Sequence, residues 1–185
     1  MRKLILIALL VLSSIGASAQ KIIMDKVESD GSRHIQTEYK TIYSKMFTAG
    51  AISLYCLANE SDTTFYISLM LNERKPEIDQ GRKLLVKLDD GIILTLENID
   101  KIGPLDYETR QVFNSVEYLV YPRYYVSLDD LMLMISKGVV KLRIETDLDN
   151  FDRDIIKAKM SDYLENSLSK IIEVLSIKKD IYSDF

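Results

Sequence analysis

"KLLVKLDDGIILTLE", Lys83 to Glu97, decides how the rest of the chain is read. Leu84, Val86 and Leu88 alternate with Lys83 and Lys87, which is the two-residue period of a strand that buries one face. Asp89-Asp90-Gly91 then supplies residues that tolerate the positive φ of a tight hairpin turn, and the chain returns through Ile92, Leu94 and Leu96. A one-sided pattern in both arms belongs to an antiparallel sheet. Parallel strands are covered on both faces and read as unbroken apolar runs instead.

The same alternation recurs on either side of this hairpin. In "VVKLRIE", Val140, Leu142 and Ile144 face inward while Lys141, Arg143 and Glu145 face water. "AISLYCLA" puts Ile52, Leu54 and Cys56 on one face, and "TFYISLML" does so with Phe65, Ile67, Leu69 and Leu71; "NESD" between them supplies turn chemistry. An earlier hairpin is expected at Asp30-Gly31, joining "KIIMDKVE" to "RHIQTEYKTIY". "ERKPEIDQGR" and "NIDKIGPLDYETRQ" read as longer loops.

Two helices interrupt the strands. "VSLDDLMLMISKG" has Ser127 as N-cap, Asp130 completing a capping box and Gly138 closing the far end. A second helix is expected from about Arg153 to about Ile177, carrying Ile156, Met160, Tyr163, Leu164, Leu168, Ile171, Val174 and Leu175 as one apolar stripe. Ahead of it, "TDLDNFDRD" sets Asp147, Asp149, Asp152 and Asp154 close together. A calcium loop counted from Asp147 would place Phe151 fifth, Asp152 sixth and Ala158 twelfth, where an oxygen ligand, a glycine and a glutamate are needed. The stretch reads instead as a helix start, with Asp152 as N-cap, Phe151 and Ile156 as a hydrophobic staple and Asp154 favoured by the helix dipole. The expected fold is α+β: roughly eight mostly antiparallel strands in a curled or two-layer sheet, with one short helix and a long C-terminal amphipathic helix packed on an apolar face.

The first residues bound the location. "MRKLILIALLVLSSIGASAQ" has a basic pair, an apolar run from Leu4 to Leu12 and small residues ending in Ala17-Ser18-Ala19, the layout of a secretory signal cleaved after Ala19. The apolar run is too short for a stable span of about 30 Å, and no later segment offers about 20 uninterrupted apolar residues. No cysteine stands at the cleavage point to carry a lipid. Residues 1–19 are therefore expected to be a signal peptide and 20–185 a single β-rich domain, periplasmic or secreted, with no membrane insertion after cleavage. "SIGASAQK", with Gln20 after the small residues, resembles the export signals of Bacteroidetes, and the chain is similar in style to that group's small exported proteins of unknown function. The resemblance implies a bacterial envelope location and no activity.

The formal net charge is −4, and the signal contains two of the 24 basic residues and none of the acidic ones, so the remaining chain is more acidic still. Such a chain repels phosphate backbones, which argues against nucleic acid as a partner. One Cys and one His leave no ordinary zinc site. His34 shares a polar strand face with Gln36, Glu38 and Lys40, opposite Ile35, Thr37 and Tyr39, and Cys56 belongs to an apolar face. No serine stands in a nucleophile elbow. The acids have local explanations, Asp89 and Asp90 in a turn and Asp129 and Asp130 in a first helical turn. No catalytic pair, metal site or cofactor is nominated.

The candidate binding residues lie in "EYLVYPRYYVS", where Tyr118, Tyr121, Tyr124 and Tyr125 surround Arg123, a composition favoured at interaction patches. Strand propensity alone also accounts for tyrosine here. Pro122 removes a ladder donor and points to an edge strand or bulge. Asn59-Glu60-Ser61 fits an N-glycosylation acceptor, and Asp62-Thr63-Thr64 resembles the Bacteroidetes O-glycosylation motif. The leading functional expectation is a non-enzymatic exported domain that binds an envelope protein or small ligand. A carboxylate-dependent hydrolase and a homo-oligomeric structural component stay open beside it.

Overall fold

The two arms of the Lys83–Glu97 hairpin form as the alternation requires. They are β6 (Lys83–Leu88) and β7 (Ile93–Glu97), with Gly91 at φ 90° in the turn. The computed structural model describes residues 20–45, 48–72, 77–103, 105–112, 115–155 and 157–177. Among these, twelve strands and two helices form an α+β fold built on antiparallel sheets. The segment 1–19, with the expected signal and its cleavage point, lies outside the described residues, as does Ile156.

β1 (Ile22–Val27) and β2 (Arg33–Thr37) turn at Gly31. β3 (Lys40–Lys45) follows, then the two longest strands, β4 (Thr48–Ala58) and β5 (Thr63–Asn72). The first sheet runs β1-β2-β4-β5-β10, where β10 is Arg123–Val126, and β3 lies end to end with β2 along the same edge of β4. The second sheet runs β12-β11-β6-β7, with β11 at Val139–Glu145 and β12 at Asn150–Asp154. β8 (Glu108–Val112) and β9 (Ser115–Leu119) make a separate hairpin that begins at the end of the second expected loop and runs past it. Asn98 bridges to Tyr124 and so joins the end of β7 to β10.

α1 (Leu128–Lys137) begins as its capping box requires: Ser127 Oγ accepts from the Asp130 amide at 3.1 Å and donates to its carboxylate at 2.7 Å. α2 (Lys157–Ser176) packs against β2, β3 and β4 of one sheet and β11 of the other, so the strands curl around it. Its stripe delivers Met160, Tyr163, Leu164, Leu168 and Ile171 to the core, where they meet Ile52, Leu54, Cys56, Phe65, Ile67 and Leu69.

A polar chain docks this helix. β2 stops at Thr37 and β3 starts at Lys40, which leaves backbone groups of β4 facing a gap. The Leu54 amide donates to Thr37 Oγ1 at 3.0 Å, Thr37 Oγ1 lies 2.7 Å from Tyr163 Oη, and Tyr163 Oη donates to the Glu38 carbonyl at 2.7 Å. A carbonyl can only accept, so the phenol proton goes to Glu38 and the threonine proton to the phenol. The three bonds run in one direction.

Several expectations are corrected. Twelve strands replace roughly eight. The helix starts at Lys157 instead of Arg153, and "NFDRD" is the edge strand β12, paired with β11. Asp152 is not an N-cap: it stands opposite Arg143 and accepts from Arg143 Nε at 2.6 Å and Lys141 Nζ at 2.9 Å. These cations hold its carboxyl well below the usual range. Asp147 accepts from Arg82 Nε at 2.8 Å and from the Asp79 amide at 3.1 Å. In β11 a bulge between Val139 and Lys141 turns Val139 inward and leaves Val140 half-buried, so the inward set is Val139, Leu142 and Ile144. Ile92 sits in the turn and is 46% exposed. Tyr39 lies in the break between β2 and β3 and sends its hydroxyl to Gln36 on the outer face, not inward beside Ile35 and Thr37.

Candidate functional site

Successive side chains on a strand point to opposite faces. With Leu54 and Cys56, and Phe65 and Ile67, fully or nearly fully buried inside, Tyr55 and Tyr66 are forced outward. Register then aligns Met24, Gln36, Tyr55, Tyr66 and Tyr125 as one row across β1, β2, β4, β5 and β10. Ring centroids are 5.7 Å apart for Tyr55 and Tyr66 and 6.3 Å for Tyr66 and Tyr125. Ser53, Ser68 and Arg123 form a second, parallel row.

The face is internally tied. Arg123 donates to Asp100 through Nε at 3.1 Å and Nη2 at 2.7 Å, and its guanidinium lies 5.6 Å from the Tyr55 ring centre. Tyr39 Oη meets Ser68 Oγ at 2.8 Å and accepts from Gln36 Nε2 at 3.1 Å, and its ring leans on Tyr121 at 5.7 Å. His34 Nδ1 shares a short hydrogen bond with Tyr55 Oη, and its ring stands edge-on to the tyrosine at 5.9 Å. His34 is thus half-buried structure in this face, more than the solvated position its strand pattern suggests. Burial raises the Tyr39 and Tyr55 hydroxyls above the ordinary phenol value, and burial with the Glu108 carboxylate beside it pushes Tyr121 up to about 12. Near neutral pH these phenols all keep a proton to donate.

Two shallow depressions flank the row. One, of about 530 Å³, lies toward β1 and β2 with Tyr55, Tyr39 and Tyr121 in its wall. The other, of about 570 Å³, lies beyond Tyr125 against Thr95, Glu97 and Asn98. Both fall in the range of roughly 300–1,000 Å³ that ligand sites occupy.

Of the five residues singled out in the sequence, the structure gathers Tyr121, Arg123 and Tyr125 on this face. Tyr124 points the other way and is 0% exposed in the core. Tyr118 lies on β9 against Tyr107, with ring centres 6.0 Å apart. Tyr121 and Pro122 occupy the break between the Val120–Leu71 bridge and β10, where the Pro122 carbonyl accepts from Leu69. Tyr39, Tyr55, Tyr66, Gln36 and His34 were missed. Their signal was present: the outward positions of β4 and β5 carry tyrosine where a solvated strand carries Lys, Glu or Thr.

Elsewhere the candidate chemistry is occupied. Cys56 is fully buried and burial pushes its thiol up to about 12, which suits a core residue and not a nucleophile. Among the described residues no group of three or more His, Cys, Asp and Glu is placed to hold a metal ion. No helix among them is long and apolar enough to cross a membrane. Asn59 Oδ1 accepts from the Ser61 and Asp62 amides at 3.0 and 2.7 Å, so the Asn59-Glu60-Ser61 motif sits in the exposed β4–β5 turn, and Asp62-Thr63-Thr64 runs from that turn into the half-buried start of β5. No family model, no curated protein and no solved structure matches this chain.

Proposed function

We propose that the chain is an exported, non-enzymatic binding domain of the bacterial cell envelope, and that it meets its ligand with the tyrosine face of β2, β4, β5 and β10. One contrast within the molecule carries this reading. The outward positions of the second sheet mix Lys87, Thr95, Glu97 and Arg143 with the aliphatic Leu85 and Ile93, none of them aromatic. The first sheet is built of the same kind of strands, yet its outward positions gather Tyr66 and Tyr125, with Tyr55 nearly buried under Arg123 and Ser53 and Ser68 beside them. Solvation does not call for that substitution, whereas recognition does, because a stiff amphipathic ring offers contact area at low entropy cost. The signal-like 1–19 supports export.

The test has two arms. Expression of the full chain in a Gram-negative host, followed by intact-mass measurement on the periplasmic fraction, should yield a product beginning at Gln20; an uncleaved cytoplasmic product rejects export. Because the chain has no Trp, its emission comes from tyrosine. Envelope polymers and peptides are titrated against that emission in the wild type and in Tyr66→Ala/Tyr125→Ala. Binding left unchanged by the double substitution rejects the site, and catalytic turnover of any titrated polymer rejects the non-enzymatic reading.

A further inference from the structure

We infer that His34 is a proton-operated switch on the tyrosine face: uncharged, it takes the Tyr55 phenol proton, and charged, it reverses that bond and turns the phenol proton out into the depression beside β1 and β2. As regulation of binding, the inference rests on the reading of the tyrosine face as the site. As proton chemistry it concerns the face alone.

The first argument is direction. A carboxylate only accepts, and Asp30 Oδ1 takes both the Ser32 amide at 2.9 Å and the Ser32 hydroxyl at 2.6 Å. With its single proton so used, Ser32 Oγ faces His34 Nε2, 3.4 Å away, as an acceptor. The proton of the uncharged ring therefore belongs on Nε2, which leaves Nδ1 a lone pair. Tyr55 Oη shares its short hydrogen bond with that atom, so the phenol donates. The string runs one way, from Tyr55 through His34 and Ser32 to Asp30.

The second argument is what one more proton does. Both nitrogens of a charged imidazole are donors. Nδ1 then presents a hydrogen to Oη, and the phenol keeps the contact only by accepting, with its own proton turned to the other side of the oxygen. Tyr55 and His34 both line the depression of about 530 Å³. Its wall thus gains a positive charge and an outward O–H together, which favours ligand groups that accept. Asp30 does not follow the change. The Ser32 hydroxyl and amide hold its carboxyl below the usual range, so the far end of the string stays an acceptor.

The third argument is the surroundings. Histidine is the side chain that ordinarily changes charge between about pH 5 and 8, and the chain has one. From β1, Lys26 faces it as cross-strand partner, with Glu28 held to Lys26 at 2.8 Å. On β4 its direct partner is the uncharged Leu57. Beyond Tyr55 stand Tyr66 on β5 and Arg123 on β10, the latter held to Asp100 at 2.7 Å, and Glu108 lies farther along the same depression. Lys26 and Arg123 each hold a carboxylate of their own, which leaves Asp30 as the counter-charge to His34.

The experiment labels the full chain with NMR-active carbon at tyrosine Cζ and NMR-active nitrogen in the histidine ring, and titrates it from about pH 5 to 8 with no ligand present. The single histidine needs no assignment, and Tyr55→Phe identifies the Tyr55 signal. The uncharged ring is expected to carry its proton on Nε2. The Tyr55 signal should step at the midpoint of the His34 titration while Tyr125, at the far end of the row, stays flat. His34→Gln, which keeps an acceptor but does not titrate, should abolish the step in a protein that melts as the wild type does. A Tyr55 signal that is flat through the His34 titration, an uncharged ring protonated on Nδ1, or an equal step at Tyr125 overturns the inference. Ligand titrations judge the site separately: binding indifferent to Tyr66→Ala/Tyr125→Ala rejects the site and leaves the proton coupling standing, and a flat Tyr55 rejects the switch and leaves the site.

Discussion

The directional chain from the Leu54 amide through Thr37 and Tyr163 to the Glu38 carbonyl is the place where removing single atoms should tell most about this fold. Thr37 is 0% and Tyr163 4% exposed, so water does not replace what is lost. Tyr163→Phe deletes two hydrogen bonds of 2.7 Å, leaving the Glu38 carbonyl only its long 3.4 Å bond from Gln20 Nε2 while Thr37 can turn its proton to the Leu54 carbonyl at 3.3 Å. One weakened, half-buried acceptor with one partly rescued donor costs about 1–2 kcal/mol. Thr37→Val removes the middle link, orphans the Leu54 amide and should cost a similar ~1–3 kcal/mol. Thr37→Ser keeps the hydroxyl and forfeits one methyl, about 0.8 kcal/mol. The two residues share a bond, so the double substitution should fall short of the sum by roughly 0.5–1.5 kcal/mol. Urea denaturation followed by circular dichroism reads these values, with the slope unchanged if only stability moves. In melting temperature each kcal/mol should appear as about 2–4 °C for a domain of this size. A Tyr163→Phe protein within ~0.3 kcal/mol of wild type, or a coupling within ~0.3 kcal/mol of zero, would refute the docking role of the chain.

Tyr124 Oη is buried without a hydrogen-bond partner among the described residues, so Tyr124→Phe should raise stability by about 1 kcal/mol in the same assay; a loss would reveal a partner for the hydroxyl. Asn98, 1% exposed, donates to the Asp79 carbonyl at 3.0 Å and to that of Asp100 while accepting from the Asp100 amide at 3.2 Å. Asn98→Asp turns the donor into a charged acceptor facing two carbonyls and should cost about 3–5 kcal/mol at neutral pH, more than Asn98→Ala; equal losses would show that the donor is dispensable. A Cβ at Gly50 would fall on the Tyr43 ring, well inside van der Waals contact, and the Arg153 guanidinium 5.3 Å from that ring hems it in. Gly50→Ala should therefore cost about 1–3 kcal/mol, and a neutral outcome would mean the ring moves aside freely. Burial raises Tyr39, Tyr124 and Tyr163 above the ordinary phenol value of about 10. The unfolded chain thus loses these protons first, so stability is full below pH ~10 and falls as pH rises through the folded values, by about 1.4 kcal/mol per pH unit for each tyrosine. Urea midpoints that stay flat between about pH 9 and 11 would contradict that sign.

What could be read along the chain was local. Hairpins at Gly31 and Gly91, the turn between β4 and β5, and the Ser127 cap each depend on residues within a few positions of one another. "NFDRD" went astray for the same reason. An aspartate ahead of an apolar-periodic segment satisfies the rules for a helix cap, and an aspartate alternating with Phe151 and Arg153 equally satisfies those for an edge strand. The partner decides, and it stands on β11: Arg143 and Lys141 meet Asp152 across the ladder. Asp147 is likewise claimed by Arg82, 65 residues away. The tyrosine face is more scattered still, drawn from Tyr39, Tyr55, Tyr66 and the segment from Tyr121 to Tyr125. Of these, only the last is contiguous enough to stand out in one dimension, and within it alternation sends Tyr124 to the core.

On the proposed reading, the two faces of β4, β5 and β10 divide folding from recognition, and this determines which substitutions can tell one from the other. On β5, Phe65, Ile67, Leu69 and Leu71 are core, and shortening any of them opens a cavity inside it. Tyr125 is 49% exposed, so its truncation gives up only about half of the roughly 1.5–3 kcal/mol that full burial of a large side chain contributes. Tyr66 is half-buried between its neighbours and behaves similarly. Tyr55 belongs to both faces of the problem. At 6% exposure, it is bonded to His34 and lies under Arg123, so its removal would loosen the sheet and the site at once. A binding defect in Tyr55→Ala would therefore be ambiguous, whereas the same defect in Tyr66→Ala or Tyr125→Ala, in a protein that still melts as the wild type does, belongs to the surface alone.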